Sequence, residues 1–178
     1  MTTTPQDALA RAAKVKLMIF DVDGVLTTGA MEYGGDGELI KTFNVHDGLG
    51  ILLLQQAGVQ TAIISARNSP IVTRRAADLR ITHVLQGAHD KRIPFAQLLA
   101  DTGLSADECG FIGDDVIDLP ILTRAGFAAS VPNGRAEVHE RVHHVTRAAG
   151  GHGAVREVCE FILRAQDKWD GVLAQFLA

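Results

Sequence analysis

The sequence predicts an α/β fold: a doubly wound parallel sheet with helices on both faces and a β-hairpin inserted after the first strand. Three observations predict it. Short aliphatic runs alternate with segments of helical period along most of the chain. Aspartates stand directly after the first of those runs and just past a later one, at Asp21 and Asp114. A glycine-rich turn, Tyr33-Gly34-Gly35-Asp36-Gly37, interrupts the alternation once.

Each element has a local reason. After a short polar lead, Met1 to Gln6, the apolar run Val15 to Phe20 reads as a buried strand ending at Asp21. Leu26 to Met31 and Glu38 to Phe43 flank the glycine turn as hairpin arms, so the hairpin spans about 26–43. Asp47 to Ala57 reads as a helix closed by Gly58. Val59 to Ile64 is the next strand, and Ser69 before Pro70 is an N-cap followed by proline at the first helical position, opening a helix to Leu79. Thr82 to Leu85 is a strand, Lys91 to Leu99 a helix, Cys109 to Ile112 a strand and Val116 to Thr123 a helix. Short strands follow at Phe127 to Val131 and His143 to Val145. Val155, Val158, Cys159, Ile162 and Leu163 form the apolar stripe of a last helix, and an apolar tail completes a C-terminal segment over 153–178. Gly150, Gly151 and Gly153 read most simply as a flexible lead into that helix.

Composition narrows the function classes. The chain has 178 residues, 47% of them hydrophobic and 21% charged, which suits one domain over 1–178 and excludes disorder or a fibrous rod. Seventeen basic against twenty-one acidic residues give a net charge of −4, a poor match to nucleic acid. No apolar run approaches the roughly 18 residues of a membrane helix, so no membrane partner is expected. Two cysteines, Cys109 and Cys159, are too few for a disulfide framework, which makes the cytoplasm the expected compartment. His139, His143 and His144 have no suitably spaced cysteine or acidic partner and are not read as a zinc site.

In open α/β sheets ligands bind beyond the carboxyl ends of the strands. Asp21 and Asp23 lie there after the first strand and Ser65 after the second. Gly113, Asp114, Asp115 and Asp118 follow the Cys109 strand, and Lys91 opens the helix after the third. Carboxylates gathered at one mouth repel, by about 4 kcal/mol per pair at 4 Å and an effective dielectric of 20. A hard divalent cation, best Mg²⁺, resolves that repulsion and keeps waters for a phosphate to displace.

These residues resemble the four motifs of the haloacid dehalogenase superfamily: Asp21-Val22-Asp23-Gly24-Val25-Leu26-Thr27, Ser65, Lys91 and Gly113-Asp114-Asp115-Val116-Ile117-Asp118. The resemblance implies a Rossmannoid hydrolase with Asp21 as nucleophile, forming an aspartyl-phosphate, and Asp23 as acid and base. It implies that Ser65 and Lys91 bind the phosphate and that Asp21, Asp114 and the backbone of Asp23 hold Mg²⁺. Chemistry agrees: a carboxylate attacks phosphorus once the phosphoryl charge is neutralised, and a residue two positions on along a strand shares its face. Only 44 positions separate Asp21 from Ser65 and 26 separate Ser65 from Lys91, so no cap domain fits beyond the hairpin.

Longer stretches are similar to the 3-deoxy-D-manno-octulosonate 8-phosphate phosphatases. They are Tyr33 to Glu38, Lys41-Thr42-Phe43-Asn44-Val45-His46-Asp47-Gly48, and Gly150-Gly151-His152-Gly153-Ala154-Val155-Arg156-Glu157-Val158-Cys159-Glu160. That resemblance implies a sugar phosphate substrate, a role in lipopolysaccharide precursor synthesis and a homotetramer in which hairpins pack together. His46 and His152 depart from the arginine expected there, which keeps a phosphatase for a nine-carbon sugar acid as the alternative. Asn44, Asp47 and Gly48 read two ways, as a helix N-terminus or as a substrate loop. Arg67 and Arg156 are candidate contacts to substrate carboxylate or phosphate. A signalling receiver domain shares the fold and the clustered aspartates. It places its phosphoacceptor on a middle strand, however, whereas the paired aspartates here lie on the first.

Overall fold

The computed structural model of the protein describes residues 4–177. Six parallel strands form one sheet: β1 (Leu17–Phe20), β4 (Gln60–Ile64), β5 (His83–Leu85), β6 (Cys109–Ile112), β7 (Phe127–Ser130) and β8 (His144–Val145). Their order is β5-β4-β1-β6-β7-β8, so the chain builds outward from β1 in one direction and then in the other. The switch point of this doubly wound sheet therefore lies at β1. The two remaining strands, β2 (Glu32–Gly34) and β3 (Gly37–Ile40), pair only with each other, as the inserted hairpin.

The alternation of side chains along β1 divides the core in two. Met18 and Phe20 face a layer built on α1 (Pro5–Ala12), α2 (Val45–Gln56), α3 (Pro70–Asp78) and α7 (Ala154–Ala165). Leu17 and Ile19 face the opposite layer, with α4 (Arg92–Thr102) and α5 (Leu119–Leu122). All four β1 side chains are buried, which is why this run reads as a continuous apolar stretch rather than an alternating one.

Several expected elements shift. The polar lead lies partly outside the described residues, but from Pro5 onward it is the helix α1, capped by Thr4 and burying Ala8 and Ala12. The first hairpin arm is not Leu26 to Met31. Leu26 is buried in the core, and the amide and hydroxyl of Thr27 both bond the Val22 carbonyl, so this stretch closes a loop instead of pairing. The hairpin is correspondingly tighter, with Gly34 opposite Gly37 and only Gly35-Asp36 between them. Val116 to Thr123 divides into a 3₁₀ turn, Val116–Asp118, and the short α5, because Pro120 suits the start of a helix and not its interior. The tail contains a short helix, α8 (Trp169–Ala174), which follows α6 (Ala136–His139) and α7 in chain order.

Candidate active site

Three adjacent parallel strands bring the motif residues together. Phe20 of β1 pairs with Ile63 of β4 and Ile112 of β6, and strands lie about 4.8 Å apart. The residues just past those pairs, Asp21, Ser65 and Asp114, therefore line one edge. The ladders run on past the strand ends: the Asp21 amide bonds the Ile112 carbonyl at 3.1 Å and the Ser65 amide the Leu85 carbonyl at 3.0 Å. Lys91 arrives from the β5–α4 loop, which is tied to the Ser65 loop by Ala88 N–H to the Ser65 carbonyl at 3.0 Å.

The Lys91 ammonium is buried and donates to Asp21 Oδ1 at 2.7 Å and to Asp118 Oδ1 at 2.5 Å. Burial alone would lower its pKa, but the two carboxylates hold it above its ordinary value. Asp118, whose role the sequence leaves open, is an anchor. Its Oδ2 accepts from the amides of Asp114 and Asp115 at 3.0 and 3.2 Å, so one side chain fixes both Lys91 and the Asp114 loop.

Asp21, Asp114 and Asp118 each offer an oxygen within 4.8 Å of the others. Burial, then the charge of Asp118, pushes Asp21 up to about 7 even against Lys91. Burial and the charges of Asp118 and Asp115 do the same for Asp114, also to about 7. One lysine does not neutralise three carboxylates, and an oxygen-binding cation fits the deficit. Both Asp118 oxygens are already engaged, so the free ligand atoms belong to Asp21 and Asp114. Gly24 packs against the same place. Its φ is +93° and an added Cβ would stand 2.1 Å from Asp114 Oδ2, so only glycine fits there.

The side chain of Asp23 lies outside the three-carboxylate cluster, which leaves its backbone as the part available to a metal. Its Oδ1 is bound by Lys41 and its Oδ2 lies 3.9 Å from Arg67 Nε. Lys41 also pairs with Glu38 of β3, whose other oxygen takes the Ser69 hydroxyl. Burial would lower the Lys41 pKa, but Asp23 and Glu38 raise it. Likewise, burial would raise Glu38, but Ser69 and Lys41 hold it low. The Arg67 guanidinium bonds the Tyr33 hydroxyl and lies over its ring, so the hairpin is strapped to the Ser65 loop at two points. Neither Lys41 nor Glu38 stood out in the sequence, although both fall in the stretches that carry the resemblance.

The remaining candidates have partners within the fold. Asn44 caps α2, accepting from the His46 amide at 2.8 Å. Asp47 is buried and accepts from the Arg156 amide at 2.7 Å, so α2 caps the N-terminus of α7. Gly48 lets Arg75 approach, because a Cβ there would lie 2.4 Å from its Nη2. The Arg156 side chain runs away along α7, bonding Glu160 at 2.6 Å and packing on the Trp169 ring. His46 and His152 are exposed. Gly150 and Gly151 are not a flexible lead. Gly151 N–H bonds the Val25 carbonyl at 2.9 Å, and Asn133 bridges the Gly24 carbonyl to the Gly150 amide. Of the three histidines, His139 bonds the Val131 carbonyl, His143 accepts from Ala128 N–H, and His144 stacks on Phe161.

Comparison with known proteins gives the chain a family. Residues 79–158 match the haloacid dehalogenase-like hydrolase family. The chain is 42% identical over 165 residues to the 3-deoxy-D-manno-octulosonate 8-phosphate phosphatase KdsC of Yersinia pestis, covering 93% of this chain and 88% of that one. It is 41% identical to the Escherichia coli K12 enzyme of the same name, over 95% of this chain and 90% of the relative. A solved structure of the Moraxella catarrhalis phosphatase, in complex with a magnesium ion, a phosphate ion and KDO, superposes with a TM-score of 0.95. Identity there is 42%, over 97% of this chain and 99% of that one.

Proposed function

This chain belongs to the 3-deoxy-D-manno-octulosonate 8-phosphate phosphatases, a family of haloacid dehalogenase-like hydrolases, and from that premise we propose that it releases phosphate from that sugar phosphate through Asp21. The observation that carries the proposal is the buried Lys91 bridging Asp21 and Asp118 beside Asp114 and Ser65. This is a preorganised cationic and acidic site at the carboxyl end of β1, where a phosphoryl group meets a nucleophile, a counter-charge and a hydroxyl donor.

The residues divide the work. An Asp21 oxygen attacks phosphorus while the bond to the sugar oxygen breaks. Lys91 orients the Asp21 carboxylate through Oδ1 and, with the Ser65 hydroxyl, holds phosphoryl oxygens. Asp23 gives a proton to the departing sugar oxygen and then takes one from the water that attacks the aspartyl-phosphate, freeing phosphate and regenerating Asp21. Asp21, Asp114 and the Asp23 backbone are the group to hold Mg²⁺, which when bound neutralises phosphoryl charge.

The chain is read as one domain over 1–178, cytoplasmic, with a product that feeds lipopolysaccharide precursor synthesis. Two buried free thiols suit a reducing compartment. The hairpin supports a homotetramer: Tyr33, Leu39 and Ile40 are exposed on a two-stranded ribbon, and Val45 beside it is 74% exposed. Phosphate release from the sugar phosphate by purified protein, with Mg²⁺ and with EDTA, tests the reading. Activity is expected only with Mg²⁺ and not in Asp21→Asn, and full turnover by that variant would refute the nucleophile.

A further inference from the structure

Lys41 is an unusual residue to find behind a mouth that must receive a charged substrate. Its side chain is only 2% exposed, and its ammonium is turned onto carboxylates of the protein itself. The ammonium sits between two carboxylates, Asp23 Oδ1 and Glu38 Oε1, the latter at 2.9 Å. Glu38 is itself held by the Ser69 hydroxyl at the start of α3. Lys41 and Glu38 together carry no net charge, so the pair directs Asp23 chiefly by geometry. A carboxylate on a short side chain at a half-exposed position has two accessible orientations in χ2. Here one oxygen is committed to Lys41, and the other faces Arg67 and the mouth.

We propose that Lys41 is a positioning residue for the proton transfer: it anchors Asp23 Oδ1, leaving Oδ2 as the oxygen that gives a proton to the departing sugar alkoxide and takes one from the attacking water. The inference rests on the reading of Asp23 as acid and base, and deepens it by naming the atom that works and the residue that aims it. The balance is simple. The proton leaves Asp23 Oδ2 for the sugar oxygen as the sugar oxygen–phosphorus bond breaks and the Asp21 oxygen–phosphorus bond forms. A proton returns from water as the water oxygen bonds phosphorus and the bond to Asp21 breaks. A further consequence concerns the hairpin. Lys41 and Glu38 belong to the hairpin's second arm and its exit, so the inserted ribbon is wired to the reacting atoms and is more than a wall of the cleft.

The test uses the full-length protein with Mg²⁺ and two substrates, the sugar phosphate with its alkoxide leaving group and p-nitrophenyl phosphate, whose leaving group needs no proton. Lys41→Met is expected to lower kcat on the sugar phosphate by about 10- to 100-fold, and on p-nitrophenyl phosphate by less than about threefold, with KM little changed. In an Asp23→Asn background the same substitution should add less than about twofold, because two residues acting through one proton transfer are not additive. Lys41→Arg, which keeps a donor at a displaced point, should restore part of the loss on the sugar phosphate. If Lys41→Met does not fold, Lys41→Arg and Glu38→Gln carry the test, each with a smaller loss of the same selectivity. Equal losses on both substrates, or full additivity with Asp23→Asn, would overturn the proposal. Asp23→Asn selective for the poor leaving group beside an indifferent Lys41→Met would overturn it alone. An unselective Asp23→Asn would overturn the acid assignment and this inference with it.

Discussion

Replacing Asp47 with alanine is expected to reduce stability and leave substrate affinity alone. Asp47 sits in the first turn of α2 but serves α7, whose own N-cap is Gly153, a residue with no side chain to offer. Its Oδ1 accepts from the Arg156 amide at 2.7 Å, and the amides of Gly153 and Val155 act on the same carboxylate. Losing an N-cap acceptor costs about 0.5–2 kcal/mol, and an amide left buried without a partner costs about 1–3 kcal/mol. Against this, burial pushes the Asp47 pKa up and its Oδ2 is buried without a hydrogen bond, so removing the charge recovers part of the cost. The net expectation is about 2 kcal/mol, or a fall in Tm of about 4–8 °C for a chain this long. Asp47→Asn keeps an acceptor and sheds the buried charge, so it should stay within about 1 kcal/mol of the parent. Thermal unfolding followed by circular dichroism, with steady-state kinetics on the same samples, checks both. An unchanged Tm in Asp47→Ala together with a tenfold rise in KM for the sugar phosphate would refute the capping argument and return Asp47 to the substrate loop.

Two further expectations concern the metal and the assembly. Asp21 and Asp114 titrate near 7 in the metal-free fold, above the ordinary carboxylate value, so between about pH 4 and 7 the native state binds more protons than the unfolded one. In EDTA their contribution to stability therefore falls as pH rises through that window, while His143 and His144, held low by burial, push the other way. The difference in Tm between the parent and Asp114→Asn isolates the carboxylates. It should shift in favour of the variant as pH rises in EDTA and should be reversed by Mg²⁺ at neutral pH, and a pH-independent difference would sink the account. Deletion of residues 167–178 should lower activity on the sugar phosphate more than on p-nitrophenyl phosphate, because Phe176 and Leu177 lie exposed in the tail and suit cover for a neighbouring mouth. Light scattering is expected to show a tetramer, and a fully active monomer at assay concentration would defeat this reading.

The parts of the fold that were legible share a physical cause. Buried parallel strands have to be short apolar runs, and Leu17 to Phe20 and Cys109 to Ile112 are both buried throughout. Ser69-Pro70 announces its helix because a cap and a fixed φ act within two residues. The structure departs from the local pattern where tertiary contact overrides local preference. Leu26 to Met31 has strand-like composition, yet Leu26 is drawn into the core and Thr27 bonds back to Val22, which no local pattern encodes. The glycines at 150 and 151 suggest freedom, whereas they exist so that backbone can lie against the Gly24–Thr27 loop.

The same distinction divides the site. Asp21, Asp23, Ser65, Lys91 and Asp114 are legible because each stands at a strand end or a helix start, and the sheet delivers such ends to one place. Asp47, Asn44 and Arg156 lie in stretches that resemble a functional loop, and in this chain Asp47 ties α2 to the start of α7, Asn44 reaches the Gly151 carbonyl, and the Arg156 side chain packs on Trp169. The residues that sequence reasoning missed, Lys41 and Glu38, act across 18 and 31 positions, on Asp23 and Ser69. A charged pair at i and i+3 on an exposed ribbon reads as solvated surface, and only the fold turns it inward against Asp23, two residues from Asp21. A capless enzyme has few elements near its reacting atoms, so in the mechanism proposed above the hairpin both walls the mouth and orients the acid. For that reason, changes in the hairpin should register first in the leaving-group dependence of the rate, before they register in binding.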